Sequence, residues 1–307
     1  MISSTNYYSS IAILLFLMIG LSSCREASNT QDATKEKPEI KAQNTTPEPT
    51  DLSYKMNAVG IFVEDFPDTM KDPERYNRDN KIYRTGRSFI YEIIYKDKSG
   101  QQYFFEVPDA NNVRSWQLVP AEKANKNTIK KIRMVVQQGL EPYIDRDPQF
   151  NMSVLGIEFM MDNDFMEQKL LSTLVENEKN LWITPPRDFI FKVLELSPYP
   201  FVWFPVEKRR PWVWKRGISD RWSDPAWMEW KGRLKANYKY TNHGHRLVRT
   251  KFGDRRCYEL HAMAALGKEQ RITKLNMLFN QDLGFIKLDY LNIDSSTLVL
   301  NLVEVQE

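Results

Sequence analysis

Between Trp203 and Trp230 the chain places six of its eight tryptophans: Trp203, Trp212, Trp214, Trp222, Trp227 and Trp230. Through them runs Lys208-Arg209-Arg210-Pro211-Trp212-Val213-Trp214-Lys215-Arg216. Indole and guanidinium groups at this density allow three arrangements. Trp and Arg suit the interface of a lipid bilayer, where one end of a side chain is apolar and the other wet. Flat apolar rings also stack on the C–H faces of pyranose sugars. In the third arrangement the tryptophans plug the open mouth of a β-barrel, with N–H groups towards solvent and Arg stacked over them. The six tryptophans, with Arg210 and Arg216, are therefore the candidate ligand-binding residues. Basic and aromatic residues also interleave in binders of single-stranded nucleic acid. Here 43 Lys and Arg against 40 Asp and Glu leave a net charge of only +3, with no global field for such a partner.

Other reactive residues are sparse. His243-x-His245 has no Cys, Asp or Glu close in sequence to complete a metal site, so both read as exposed turn residues and no metal is expected. Cys257, Glu259 and His261 share one face of a strand. Four residues of strand put Cys257 and His261 ~13 Å apart, beyond the hydrogen bond that would activate a thiol. Asp188, Glu195, Asp220, Asp224 and Glu229 surround the aromatic region. A glycosidase needs two carboxylates about 5–10 Å apart, and nothing in their spacing places such a pair. G-x-S-x-G, H-E-x-x-H, P-loop and dinucleotide fingerprints are all missing. We expect no catalytic residue and no cofactor, with a hydrolase as the least favoured reading.

At the start of the chain, Ile11 to Leu21 (IAILLFLMIGL) is an eleven-residue apolar run followed by Ser22-Ser23-Cys24. Eleven helical residues reach ~16 Å, half a bilayer's hydrocarbon core, which fits a signal-peptide h-region and not a stable span. Leu21-Ser22-Ser23-Cys24 resembles the lipobox of bacterial lipoproteins. That resemblance implies cleavage after Ser23 (signal peptide 1–23) and lipidation of Cys24 by diacylglycerol and a palmitate-type chain. Two acyl chains or more give stable membrane attachment. Arg25 follows the cysteine where retention in the inner membrane would favour aspartate, so the resemblance implies a lipid-anchored protein of the outer membrane. After Cys24 the only cysteine is Cys257, so no disulfide is expected.

Residues 25 to 50 lack aromatics, have Ile40 as their one large aliphatic, and are rich in Thr, Glu, Lys and Pro. Such a segment cannot bury enough surface to offset its ordering entropy. With the anchor, 24–52 reads as a tether holding the domain on the order of 25–30 Å from the membrane. From Ser53 onward strands dominate. Phe89–Tyr95 and Tyr103–Val107 read as a hairpin around Lys96-Asp97-Lys98-Ser99-Gly100. Ile132, Met134 and Val136 alternate with polar neighbours, and Leu155, Ile157, Phe159 and Met161 share a face. Met166, Leu170 and Leu174, with Asp164 as cap, predict a helix over 165–178. Pro185-Pro186 interrupts regular structure, and a short helix is expected from Arg187 to Glu195. The clearest strand is Trp230–Tyr240, with Lys231, Arg233, Lys235, Asn237 and Lys239 on its solvated face. Asn242-His243-Gly244-His245 then offers a turn, and strands follow at Arg255–Ala265, Ile272–Asn280, Leu283–Asn292 and Thr297–Val305. The fold class is mainly β (α+β): an antiparallel meander forming a curved sheet or half-barrel with one or two short helices. An N-terminal β-rich region over 53–180 and a C-terminal half-barrel over 181–307 are the expected divisions.

Asn180-Leu181-Trp182-Ile183-Thr184-Pro185-Pro186-Arg187, Leu194-Glu195-Leu196-Ser197-Pro198-Tyr199-Pro200, and the segment from Leu278 to Asp294 (LFNQDLGFIKLDYLNID) resemble phrases of uncharacterised bacterial outer-membrane lipoproteins. The resemblance covers about 130 residues and implies no activity. Antiparallel strands behind a lipid anchor are similar, in architecture alone, to the half-barrel carriers and receptors of lipoprotein sorting. The expected function is a non-catalytic membrane-anchored lipoprotein whose curved sheet binds an apolar ligand, such as a lipid, or an envelope protein partner. The alternative is a glycan-binding module built on the Trp203–Trp230 cluster.

Overall fold

A computed structural model describes residues 54–56, 62–64, 80–108, 115–137, 153–161, 165–176, 180–187, 189–209, 211–218, 234–268 and 270–307. Contacts divide the chain into Met1–Glu48 and Pro49–Glu307, and every described residue lies in the second unit. The signal-peptide, Cys24 and tether readings fall outside the described residues.

Apart from a short pair, β1 (Tyr54–Met56) with β2 (Phe62–Glu64), the strands join one open, curved antiparallel sheet. In chain order they are β3 (Ser88–Lys96), β4 (Gln102–Glu106), β5 (Gln117–Pro120), β6 (Thr128–Ile129), β7 (Lys131–Gln137), β8 (Ser153–Met160), β9 (Phe165–Glu176), β10 (Asn180–Ile183), β11 (Phe201–Trp203), β12 (Trp212–Ile218), β13 (Leu234–Thr250), β14 (Gly253–Leu266), β15 (Arg271–Asn280), β16 (Gly284–Leu291) and β17 (Thr297–Gln306). The order across the sheet is β11-β10-β9-β8-β7-β3-β17-β16-β15-β14-β13-β12, with β4 beside one end of β3 and carrying β5 and β6. The meander expected from β13 to β17 is present. It closes onto the N-terminal strands through β17 and β3, which pair from Thr297↔Lys96 to Gln306↔Ser88.

Alternation decides which face each strand buries. In β13, Ala236, Tyr238 and Tyr240 are buried while Lys235, Lys239 and Thr241 are exposed, as a sheet with one solvated face requires. In β7, Ile132, Met134 and Val136 are buried. The β3–β4 turn is held by the Asp97 carboxylate, which accepts from Ser99 N, Ser99 Oγ and Gln101 N.

Two local expectations are corrected. Residues 165–176 are strand β9 and not a helix; they pair with β8, Leu170 opposite Ile157 and Leu174 opposite Ser153. A spacing of four residues is a multiple of two, so Leu170 and Leu174 share a face in a strand as well as in a helix. Ser172, also buried, completes the period of two. At Asn242–His245 the chain does not turn. β13 runs straight through to Thr250, and the register against β14 slips by one residue between Asn242 and His245. Gly244, at φ +93°, supplies the positive φ that a bulge as well as a turn can use.

The concave face is filled by the chain itself. After Pro185-Pro186, residues 189–196 form a 3-10 helix with Phe191, Val193, Leu194 and Leu196 fully buried. The Phe191 ring stacks on Phe159 of β8 at 6.0 Å and meets Phe105 of β4 at 6.3 Å. Further along, Thr273 Oγ1 of β15 donates to the Leu196 carbonyl, and Tyr240 Oη of β13 donates to the Tyr199 carbonyl. The segment thus crosses the interior from one half of the sheet to the other. Burying a side chain of Phe191's size is worth about 2–3 kcal/mol.

Candidate functional site

The aromatic cluster forms where the two ends of the sheet approach each other. β11 and β12 are the terminal strands, and among the described residues no hydrogen-bond ladder joins them. Their rings meet instead: Phe201 lies 5.5 Å from Trp212 and 5.3 Å from Trp214, and Trp203 lies 6.3 Å from Trp212. Trp212 stacks face to face on Tyr240 at 5.0 Å. Trp214 meets Tyr199 edge-on at 4.9 Å and Trp182 at 5.7 Å. All of these except Tyr199, which precedes β11, come from inward positions of β10 to β13, so an ordinary strand period directs them to one place.

At the centre of the cluster sits Tyr199, with two guanidinium groups over its ring: Arg187 at 4.7 Å and Arg216 at 5.1 Å. Glu195 Oε1 ties them together, 3.1 Å from Arg216 Nη2 and 3.5 Å from Arg187 Nη1. All three charged side chains are largely buried, between 12% and 21% exposed. The face of Tyr199 attracts both cations. Burial pushes the Tyr238 hydroxyl's pKa up, against the opposing pull of Arg216 and Arg187. Burial also raises Tyr240 and Tyr290. These phenols stay neutral through the physiological range and offer donors and ring faces. The indole N–H groups of Trp182 and Trp212 and the Tyr290 hydroxyl are buried with no hydrogen-bond partner among the described residues.

Of the candidate residues, the structure brings Trp203, Trp212, Trp214 and Arg216 together. Trp203 is half-buried, while Trp212 and Trp214 are 7% and 3% exposed. Neither of those two rings presents a face to solvent. Arg210, Trp222, Trp227 and Trp230 lie outside the described residues, as do Asp188, Asp220, Asp224 and Glu229. Arg187, Glu195, Tyr199 and Trp182 were not singled out as ligand-contacting residues, although each sits in the Pro-rich stretch whose aromatic and charged content was visible. The missing signal was that this stretch lies inside the sheet.

Elsewhere, Cys257 is fully buried, and its thiol pKa is pushed up by burial, against the pull of Arg246 and Arg255. His261 Nε2 lies 3.5 Å from Glu259 Oε1, and its ring lies 4.3 Å from that of His243. Among the described residues no group of three or more His, Cys, Asp or Glu is placed to hold a metal ion.

No family model matches the chain. No curated protein matches its sequence. The chain is similar to several solved structures, three of which follow. A protein described as exported, with a YmcC-like fold, from Bacteroides fragilis NCTC 9343 is 8% identical with a TM-score of 0.35, covering 74% of this chain and 99% of its own. A protein described as a lipoprotein from Parabacteroides distasonis ATCC 8503 is 9% identical with a TM-score of 0.41, covering 73% and 97%. The hypothetical lipoprotein YmcC of Escherichia coli (K12) is 10% identical with a TM-score of 0.31, covering 75% and 91%. Likeness at this level assigns no activity.

Proposed function

We propose that this chain is a non-catalytic lipoprotein of the bacterial envelope, held at the outer membrane by acylation of Cys24, that acts by binding an envelope protein partner. The observation that carries the choice of partner over carried lipid is the occupied interior. Phe191, Leu194, Leu196 and Tyr199 fill the concave face that an apolar ligand would need, and Trp212 and Trp214 are committed to packing against them and their neighbours. The lipobox-like Leu21-Ser22-Ser23-Cys24 supports the anchor.

Two measurements test the two halves of this reading. Metabolic labelling with a palmitate analogue should mark the wild-type chain and not Cys24→Ser, and the variant should leave the outer-membrane fraction. Native electrophoresis of the detergent-extracted chain should show an assembly larger than the chain itself. A monomer that releases stoichiometric lipid beyond its anchor on solvent extraction would favour a carrier and overturn the partner reading.

A further inference from the structure

The hairpin of β13 and β14 outruns the sheet. β12 pairs with β13 only as far as Tyr240, and β15 pairs with β14 only from Tyr258 onward. At the base, Asn242 Nδ2 donates to the Val206 carbonyl and Asn280 Nδ2 donates to the Arg256 carbonyl. Beyond these bonds the two strands pair with each other from Arg246↔Cys257 to Thr250↔Gly253, with no strand on either flank among the described residues. Five residues on each strand extend this arm ~17 Å.

Its composition differs from the rest of the chain. Residues 245–257 carry five cations, Arg246, Arg249, Lys251, Arg255 and Arg256, against the single carboxylate of Asp254, a charge of +4. The whole chain carries +3, so everything outside the arm sums to −1. All five cations are exposed. Ion pairs offset little of this charge: Arg249 with Asp254 at 3.1 Å and Arg246 with Glu259 at 3.2 Å are both solvent-exposed and weak for that reason. Among the guanidinium groups stands Leu247, 69% exposed. It shares a face with Arg249 and Arg256, because the bulge at Gly244 shifts the odd residues of β13 to the side of Tyr258.

We propose that this arm docks on an anionic phospholipid surface, its guanidinium groups on lipid phosphates and Leu247 at the boundary of the acyl chains. Guanidinium binds phosphate bidentately, and Arg beside an exposed aliphatic suits the interface. With no strand beside it among the described residues, the arm is confined to the wet headgroup layer, since unpaired N–H and C=O groups are excluded from hydrocarbon. An acidic protein surface would use the charge but leave Leu247 unexplained. The proposal goes beyond the anchoring of Cys24, and the arm's charge and exposure stand without it.

The test uses residues 24–307 with Cys24→Ser, so that no acyl chain contributes, sedimented with vesicles. Phosphatidylcholine vesicles containing roughly one third phosphatidylglycerol should bind the chain, neutral ones should not, and added salt should weaken the binding. Arg255→Gln with Arg256→Gln should lower binding about 25-fold, roughly fivefold per cation removed. Leu247→Ser should lower it with the salt dependence unchanged. Lys96→Gln with Lys131→Gln, exposed cations distant in the sheet order, should leave binding intact, and circular dichroism checks that each variant is folded. Equal binding to neutral and anionic vesicles, arm variants that bind like the parent, or no vesicle binding by a folded chain (the outcome if the arm meets an acidic protein) overturns the proposal. Labelling at Cys24 is read separately, so the anchor can stand where the arm fails.

Discussion

Glu176, at the end of β9, directs its carboxylate at three successive backbone N–H groups: Lys81 at 2.9 Å, Ile82 at 2.8 Å and Tyr83 at 2.8 Å. The residue is 5% exposed, so one acid fixes the entry to β3, and its loss strands the buried N–H groups of Ile82 and Tyr83. Each unsatisfied buried donor costs about 1–3 kcal/mol. Glu176→Ala should therefore destabilise the fold by at least about 2 kcal/mol in urea denaturation, and Glu176→Gln, which keeps one acceptor oxygen, by less. A loss under about 1 kcal/mol for the alanine variant would refute this role. Cys257 gives a second residue-scale prediction. Burial raises its thiol pKa, so less thiolate exists at a given pH, and reactivity should climb only as pH rises through the elevated value. In a Cys24→Ser background, a thiol reagent at pH 8 should modify the native chain at least about tenfold more slowly than the urea-unfolded chain. Equal rates would show the thiol to be accessible. At this scale the sequence was only partly legible. The tryptophan cluster was plain from residue type, but its facing was not, because Trp212 and Trp214 alternate with exposed Val213 on an edge strand whose two sides look alike until the opposing β11 is known.

Elements were legible where alternation was strict and illegible where two periods coincide. β14 to β17 lie close to their expected bounds, since apolar and polar positions there alternate, whereas β13 runs ten residues past the Tyr240 at which it was expected to end. β9 was misread because Leu170 and Leu174 satisfy both a helix and a strand. The arm was missed for a related reason: Asn242-His243-Gly244-His245 carries a turn's residues, and a glycine at positive φ serves a bulge equally well. The cation density of 245–256 was visible, but only an unbroken β13 turns it into a projecting arm. Gly244 is accordingly the element-scale test. Its φ is +93°, and a Cβ there would run into the Arg209 guanidinium. Gly244→Ala should lower stability by about 1–3 kcal/mol through backbone strain plus this collision. Gly244→Ala made on an Arg209→Ala background should recover the collision and keep the strain, so the cycle should show coupling. Additive losses would mean that the guanidinium moves aside freely.

At the scale of the whole sheet, the two halves of the sequence meet through β17. This strand lies between β16 and β3, and its buried Leu298, Leu300 and Leu302 belong to the common core. Glu307 adds ion pairs to Arg84 and Arg87 just before β3. Removing β17 would not shorten an edge; it would open two ladders in the middle of the sheet and expose the face that packs against residues 189–200. A chain ending at Asn292 should therefore lose cooperative unfolding and become protease-sensitive, even though β7 to β16 are all present. Supplying residues 293–307 as a separate peptide should restore part of the native circular dichroism, as pairing to an exposed edge can. Retained cooperative melting and protease resistance in the truncated chain would mean that β3 to β11 and β12 to β16 are separately stable. The long sequence separation between β3 and β17 also makes their pairing a late, slow event. Peptide complementation should then be fast with a pre-collapsed truncated chain and slow from urea, because in the first case only the last strand remains to be placed.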